Sequence, residues 1–255
     1  MVMDDFDIDS FMDDNFDIDL SDLDLDFSQN LDIENEDNKK RKVEARAIKR
    51  KSVIELRRIN GEKLLSKLLG EFNHAPDISY HIISGGDIDS LSFASYLINQ
   101  QDHFDYFLFS TWCMSISDVE TMDSWLGSKI KRVDGYVGEI FKSSYAQELY
   151  ALKKMVSKCD GRIACFRNHA KIFLGWGDKF CFIVESSANI NTNPRTENFV
   201  ISFDPNLFFF YKDFFDGINP FNYKDFPDWK PYAIKRPRLR RDEPRPAMGG
   251  REPTV

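Results

Sequence analysis

Apolar and polar residues alternate with two different periods between positions 79 and 218 of this chain of 255 residues. Positions 80–83, 104–110 and 132–141 are rich in aromatic and β-branched residues, which predicts strands. The stretches 90–97, 118–126 and 145–158 have helical spacing of their apolar positions. This alternation predicts an α/β sandwich with a mostly parallel or mixed central sheet and helices on both faces.

The second half of this region combines strand patterns with reactive side chains. His169 and Lys171 are two residues apart in a predicted strand, so their side chains project from the same face while Ala170 points into the core. An imidazole and an ammonium in one cleft are suited to handling phosphate. Residues 175–178 have the composition of a hairpin loop, and the strand predicted over 180–184 brings Ser186 and Asn189 into the turn after its end.

These residues resemble the signature of the phospholipase D superfamily, which is H-x-K, then an aspartate, then G-S-x-x-N. His169, Lys171, Asp178, Ser186 and Asn189 occur in that order, with two extra residues before the aspartate. Hairpin loops tolerate such insertions. Glu185 replaces the glycine of the signature and is expected to narrow or charge the pocket. Glu197 resembles the acidic residue of the family that hydrogen-bonds a catalytic histidine, at the head of a strand predicted over 197–203.

The resemblance implies a phospholipase D-like α/β sandwich and a metal-independent phosphodiesterase that needs no cofactor. His169, Lys171, Asn189 and Glu197 would be its catalytic residues, and Ser186, Ser187 and Asp178 would contact the substrate. In this family a histidine attacks phosphorus and forms a phosphohistidine. A second motif supplies the proton for the leaving oxygen. His74, His81 and His103 lack a lysine two residues later, so the resemblance implies a homodimer with one motif from each copy.

Two adjacent segments in the first part of the chain carry opposite charges. Residues 1–38 contain fifteen acidic and no basic residues, whereas 39–51 contain eight basic residues and one glutamate. Removing the charge of −15 from the total of −8 leaves +7 on the remainder. We predict an acidic disordered tail over 1–38, a basic helical segment over 39–76, a phospholipase D-like domain over 77–220 and a Pro/Arg-rich C-terminal arm over 221–255. The proline density from 235 to 255 predicts that this part of the arm is extended and solvated.

The basic segments favour nucleic acid as the substrate, because lysine and arginine contacts to phosphate supply most non-specific affinity. The acidic tail either plugs the basic cleft, docks a protein partner or only improves solubility. Two other functions stay open, a catalytically silent nucleic-acid-binding or assembly protein and a phosphatidyl-handling enzyme. The four cysteines lack metal-site spacing and indicate an intracellular, cytoplasmic protein. No apolar run has the length of a membrane span.

A second motif lies between a predicted strand and a predicted helix, at residues 84–90. Its sequence, Ser-Gly-Gly-Asp-Ile-Asp-Ser, resembles the pyrophosphate-binding loop of ATP pyrophosphatases with one residue too many. The alternative is structural, because the glycines permit a tight turn and Asp89 or Ser90 can cap the helix. On either interpretation the loop is expected to border the active cleft, since ligands bind at the carboxyl ends of such strands.

Overall fold

The computed structural model describes residues 53–70, 73–191 and 195–237. The predicted acidic tail lies outside these residues, as do the first part of the predicted basic helical segment, up to residue 52, and the end of the arm beyond 237. The predicted domain boundaries remain predictions. In the described part, one sheet contains seven strands: β1 Ser79–Ser84, β2 Phe104–Thr111, β3 Val133–Gly138, β4 Ile163–Phe166, β5 Ile172–Gly177, β6 Cys181–Ser186 and β7 Glu197–Ser202. The helices are α1 Val53–Leu69, α2 Ser90–Ile98, α3 Ile116–Trp125, α4 Ala146–Val156 and α5 Pro205–Asp216.

The strands lie in the order β1-β7-β6-β5-β2-β3-β4. Strand β2 is parallel to β3 and β3 to β4, while the other neighbouring pairs are antiparallel. The predicted mixed sheet is confirmed, with parallel pairing confined to β2, β3 and β4. Strands β1, β2, β3, β4 and β6 therefore end at the same edge at which β5 and β7 begin. We call this edge the carboxyl edge and the opposite one the amino edge.

Alternating side chains cover the two faces of the sheet. Phe107, Phe109 and Phe173 are buried on the face covered by helices α2, α3 and α4. Leu108 and Leu174 point to the other face, where α5 packs. Helix α1 packs on α2. The predicted helices on both faces are therefore confirmed, because each strand contributes apolar side chains in both directions.

Two predicted strand boundaries differ from the observed ones. The strand predicted over 132–141 ends at Gly138, and a short 3-10 helix over Glu139–Lys142 places Phe141 in the core. The loop predicted over 175–178 is instead mostly strand, because β5 pairs with β6 as far as Trp176. Gly175 serves close packing rather than turning, since a Cβ atom there would lie 2.2 Å from the Phe182 ring.

The described part of the predicted arm, residues 221–237, packs on the face that carries α5. The Tyr232 ring stacks on that of Tyr106, with centroids 5.5 Å apart. Arg236 lies over the Phe209 ring and pairs with Asp213. Aromatic side chains thus anchor part of residues 221–237 to the domain, whereas most of the stretch 235–255, which was expected to be extended and solvated, lies outside the described residues. Within the described residues, no helix combines the length and the apolar character needed to cross a membrane.

Candidate functional site

His169 and Lys171 lie at the carboxyl edge, in the extended segment that joins β4 to β5. The prediction that they belong to a strand is wrong, since β5 begins at Ile172, one residue after Lys171 and three after His169. Their side chains nevertheless share one side, as their spacing requires. Lys171 Nζ lies 2.7 Å from His169 Nδ1 and donates to the His169 carbonyl oxygen at 2.8 Å. Ala170 packs toward the α5 face, as predicted.

The two side chains differ in exposure. His169 is exposed, whereas Lys171 retains 8% of its accessible surface. Burial lowers the pKa of Lys171, and the nearby Cys113 and Glu197 oppose this change. Lys171 Nζ lies 3.2 Å from His169 Nε2 as well, so the ammonium is within contact distance of both ring nitrogens.

Asn168 fixes the segment that carries the pair. Its buried side-chain amide donates to Ser110 Oγ and to the Tyr136 carbonyl oxygen, both at 2.9 Å, while its Oδ1 accepts from the Ala170 amide. Ser110 Oγ in turn donates to the Ala170 carbonyl oxygen at 2.9 Å. The connection before β5 is thus attached to the ends of β2 and β3. Sequence analysis did not identify Asn168, and its position directly before His169 is the one signal the sequence offers.

The loop after β6 also lies at the carboxyl edge, beside the segment that contains His169 and Lys171. The Ser186 amide donates to the Lys171 carbonyl oxygen at 3.0 Å. Ser186 Oγ donates to the Ala188 carbonyl oxygen, and Asn189 Oδ1 accepts from the Trp112 amide at 3.3 Å. The structure therefore brings Ser186 and Asn189 to the carboxyl edge beside the His169 segment.

Ser187 and Glu197 also meet at this edge. Ser187 Oγ donates to the Glu197 carboxylate, and the Ser187 amide donates to the Asn198 carbonyl oxygen at 3.1 Å. Glu197 is therefore engaged with a serine, whereas the resemblance implied a histidine. Its charge still acts on Lys171, whose pKa it raises against the effect of burial.

Asp178 does not lie near the other predicted site residues. It lies in the turn between β5 and β6, at the amino edge of the sheet. Lys171 precedes the first residue of β5 and Asp178 follows its last residue, so the whole strand separates them. At ~3.3 Å per residue this strand spans roughly 20 Å. The predicted contact of Asp178 with a substrate held by His169 therefore has no geometric support.

Glu185 faces away from the pair, contrary to the expectation that it narrows or charges the pocket. Its carboxylate accepts a hydrogen bond from the Tyr211 hydroxyl on α5. Burial, with this hydrogen bond, raises the pKa of Tyr211. The reason is strand alternation, because Glu185 shares its face with Ile183 while Ser186 shares the opposite face with Val184. The departure from the family signature therefore leaves the space beside Lys171 unaltered.

Three further side chains around the pair were missed by sequence analysis. The Trp112 ring lies 5.5 Å from the His169 ring and packs on Gly138, where a Cβ atom would be 2.6 Å away. Cys113 is buried near Lys171 and interacts with Tyr145, and burial raises the pKa of its thiol. These residues follow β2 or lie near α4. Only the folded sheet brings them to His169.

The loop after β1 borders this site, since Ser84 pairs with Glu197. Ser84 Oγ accepts from the amides of Gly86 and Ile88, both at 3.2 Å. Asp89 caps α2 by accepting from the Ser92 amide at 2.7 Å. Amides that a pyrophosphate would need are thus already bonded within the loop, which favours the structural interpretation. Among the described residues, no three His, Cys, Asp or Glu side chains are arranged to hold a metal ion.

Comparisons with known proteins assign no family. No family model and no curated protein matches the chain. A polyphosphate kinase from Porphyromonas gingivalis is 14% identical at a TM-score of 0.44, over 59% of this chain and 28% of the other. The archaeal chromatin protein TrmBL2 is 11% identical at a TM-score of 0.37, over 64% of this chain and 60% of the other. A mutant of yeast tyrosyl-DNA phosphodiesterase 1 is 9% identical at a TM-score of 0.32, over 49% of this chain and 32% of the other. The chain thus spans less than two thirds of each of these structures.

Proposed function

We propose that this chain is a metal-independent phosphodiesterase of the phospholipase D type that cleaves DNA or RNA through a phosphohistidine at His169. The observation that carries the proposal is the contact between Lys171 Nζ and His169 Nδ1 at 2.7 Å, at the edge of the sheet where the Ser186 loop also lies. A nucleophile and a cation are thereby held within reach of one phosphate group.

The reaction has two displacements. A His169 ring nitrogen attacks phosphorus, the new P–N bond replaces the bond to the leaving oxygen, and a second imidazolium protonates that oxygen. Water then attacks phosphorus, gives its proton to the second imidazole and releases His169. An entering phosphate draws the Lys171 ammonium from the ring to the non-bridging oxygens. Losing one such stabilising group typically costs about 2.7–4 kcal/mol of transition-state stabilisation.

The second imidazole comes from a second copy of the chain. Besides His169 the chain has only His74, His81 and His103. His74 stacks on Phe180 near the amino edge, His81 lies within β1, and His103 directly precedes β2. None of them lies at the carboxyl edge. A twofold axis that brings two such edges together would place one His169 opposite the other.

Nucleic acid is the proposed substrate because the chain offers phosphate contacts and a ring for stacking. Arg167 is exposed two residues before His169, and the half-buried Trp112 ring lies beside the imidazole. The basic residues 39–51 add charge. Bases stack on aromatic side chains whatever their sequence, and cations track the backbone.

A catalytically silent binding protein is the second candidate. The observation that favours it is the hydrogen bond of Glu197 with Ser187, where the resemblance implied a hydrogen bond with a histidine. In the silent form, the carboxyl edge would bind phosphates through Lys171 without forming a covalent bond. Glu185 gives this candidate no support, because its side chain lies on the other face.

Cleavage in the presence of a chelator separates these candidates. The purified chain is incubated with single-stranded DNA, double-stranded DNA, RNA and a phospholipid, beside His169→Ala. His81→Ala is the matched control, because His81 is an exposed histidine on the outermost strand β1. The proposal expects cleavage of nucleic acid that His169→Ala abolishes and His81→Ala preserves. Binding without cleavage supports the silent protein, and cleavage of phospholipid alone supports the lipid enzyme.

A further inference from the structure

Exposed aromatic and basic side chains follow the outermost strand β4. Phe221 and Tyr223 are more than half exposed, at 52% and 58%. The Nζ atom of Lys142 lies 5.9 Å from the centroid of the Phe221 ring. Lys224 Nζ lies at the same distance from the Tyr223 ring. Both lysines are exposed, as is Arg167 directly after β4. We call these five residues, Lys142, Arg167, Phe221, Tyr223 and Lys224, the aromatic–basic row.

Hydrogen bonds attach the aromatic part of this row to β4. The Phe221 amide donates to the Cys165 carbonyl oxygen, and Asn222 Oδ1 accepts from the Cys165 amide, both at 2.8 Å. Asn222 Nδ2 also donates to the Ile163 carbonyl oxygen at 2.8 Å. Strand β4 is at the end of the sheet, so residues 221 and 222 lie along its outer side. The backbone beside the two rings is therefore fixed, while the rings themselves face solvent.

The row leads away from the His169 site. Cys165 precedes His169 by four residues, and extended chain of that length spans at most about 13 Å. Arg167 lies between them, at the carboxyl edge. In the other direction, Tyr223 lies near the start of β4, since it lines one cavity together with Arg162. A strand of nucleic acid with one phosphate at His169 can therefore continue past Arg167 toward Tyr223.

Charge on the row favours a polyanion. The carboxylates within residues 221–230 are Asp225 and Asp228. Asp225 pairs with Lys153, with 2.7 Å between Oδ2 and Nζ, and Asp228 is exposed. The three cations of the row therefore exceed the carboxylate charge of this segment. Such a surface attracts a chain of phosphates.

We propose that the aromatic–basic row binds single-stranded nucleic acid where it leaves the His169 site. Bases stack on Phe221 and Tyr223, and the three cations contact phosphates. A polyanion that carries a flat ring beside each charge is a nucleic acid. The bases of a duplex already stack on one another, so only a single strand can offer a base to an exposed ring. The inference rests on the proposed function, because it extends the same substrate site.

The experiment measures binding in a chain that cannot form the phosphohistidine. Every protein is full length and carries His169→Ala, so that the nucleic acid stays intact. Fluorescence anisotropy follows an oligothymidylate of about 16 nucleotides and a duplex of the same length. The aromatic variant is Phe221→Ala, Tyr223→Ala, and the lysine variant is Lys142→Ala, Lys224→Ala.

Two single variants are the matched controls. Phe210→Ala removes an exposed ring from α5, and Lys179→Ala removes an exposed cation from the turn between β5 and β6. Neither residue lies on β4 or beside it. Thermal unfolding of each protein shows that the substitutions leave the fold intact.

The aromatic variant should weaken binding of the single strand about tenfold and leave binding of the duplex unchanged. The lysine variant should lower the slope of log affinity against log salt for the single strand by about 1.4, since each phosphate contact contributes roughly 0.7. Both controls should retain the affinity of the His169→Ala chain.

Three results would overturn the proposal: absent binding of the single strand, an affinity that the aromatic variant leaves unchanged, or an equal loss for the duplex. An unchanged salt slope in the lysine variant would overturn the phosphate contacts. Failure of cleavage at His169 would remove the proposed catalysis alone, because each of these measurements records binding without that imidazole.

Discussion

Glu185 and Tyr211 are joined by a hydrogen bond on the face of the sheet opposite Lys171. We therefore expect Glu185→Gln and Tyr211→Phe each to lower the free energy of unfolding by about 1 kcal/mol. Cleavage of nucleic acid should stay within roughly twofold of the unaltered chain, since neither side chain reaches the site. Urea unfolding and initial rates check both statements. A large loss of cleavage in Glu185→Gln alone would mean that this carboxylate acts in catalysis.

Asn168 is expected to position His169 rather than to touch the substrate. Asn168→Ala removes the donor to Ser110 and Tyr136, so unfolding should become easier by about 1–3 kcal/mol. Misplacement of the imidazole by an ångström can lower kcat by on the order of 100-fold. We expect kcat to fall while KM changes little. Asn206→Ala, at an exposed position of α5, is the control. An unchanged kcat in Asn168→Ala would remove the positioning role.

The pKa of Lys171 is expected to set the alkaline limit of activity. Burial lowers its pKa below the ordinary 10.5, and the reaction needs the ammonium form. The contribution of Lys171 to activity should therefore be complete below the lowered pKa and decline as the pH rises through it. Between the two pKa values the folded chain binds fewer protons than the unfolded one, so this residue makes stability rise with pH in that interval.

A pH–rate profile tests this behaviour. Lys171→Arg keeps a cation that stays protonated at far higher pH than a lysine, so the alkaline decline should move to higher pH even where the rate is lower. Profiles of both proteins that decline at the same pH would assign the limit to another group. Thermal unfolding measured across the same pH range gives the stability of each variant separately.

The acidic residues 1–38, with fifteen carboxylates, are predicted to compete with nucleic acid for the basic segment 39–51. Deleting 1–38 should raise the affinity for nucleic acid at low salt, and the gain should shrink as salt screens the charges. Replacing Phe6, Phe11 and Phe16 with Ala keeps the charge and should leave the affinity unchanged. An equal affinity after deletion would exclude the plug and leave partner docking or solubility as the role of the tail.

Much of the fold was predictable because local patterns determine it. The apolar periodicity predicted the strands around Phe107 and Leu174 and the helices between them. The alternation of strands with helices implied that helices cover both faces of the sheet. The contact between His169 and Lys171 was equally local, since two residues in extended backbone share a side. The position of Asp178 is not determined locally, because it depends on how far β5 pairs with β6.

Non-local packing supplied the rest of the site. Trp112 and Cys113 follow β2, some sixty residues before His169 in the chain, and only the order of strands in the sheet makes them neighbours. Asn168 looks like an ordinary polar loop residue until the ends of β2 and β3 are placed around it. Glu185 is the reverse case, because strand alternation alone was enough to direct it away from Ser186.

The most direct test is to trap the covalent intermediate. The chain is mixed with labelled nucleic acid in a chelator, quenched within its first turnover, and digested for mass spectrometry. We predict a phosphoramidate adduct that retains one side of the cleaved diester as a nucleotide, on the peptide that contains His169, absent from His169→Ala and present in His81→Ala. Cleavage that proceeds without an adduct, or that persists in His169→Ala, would contradict the account.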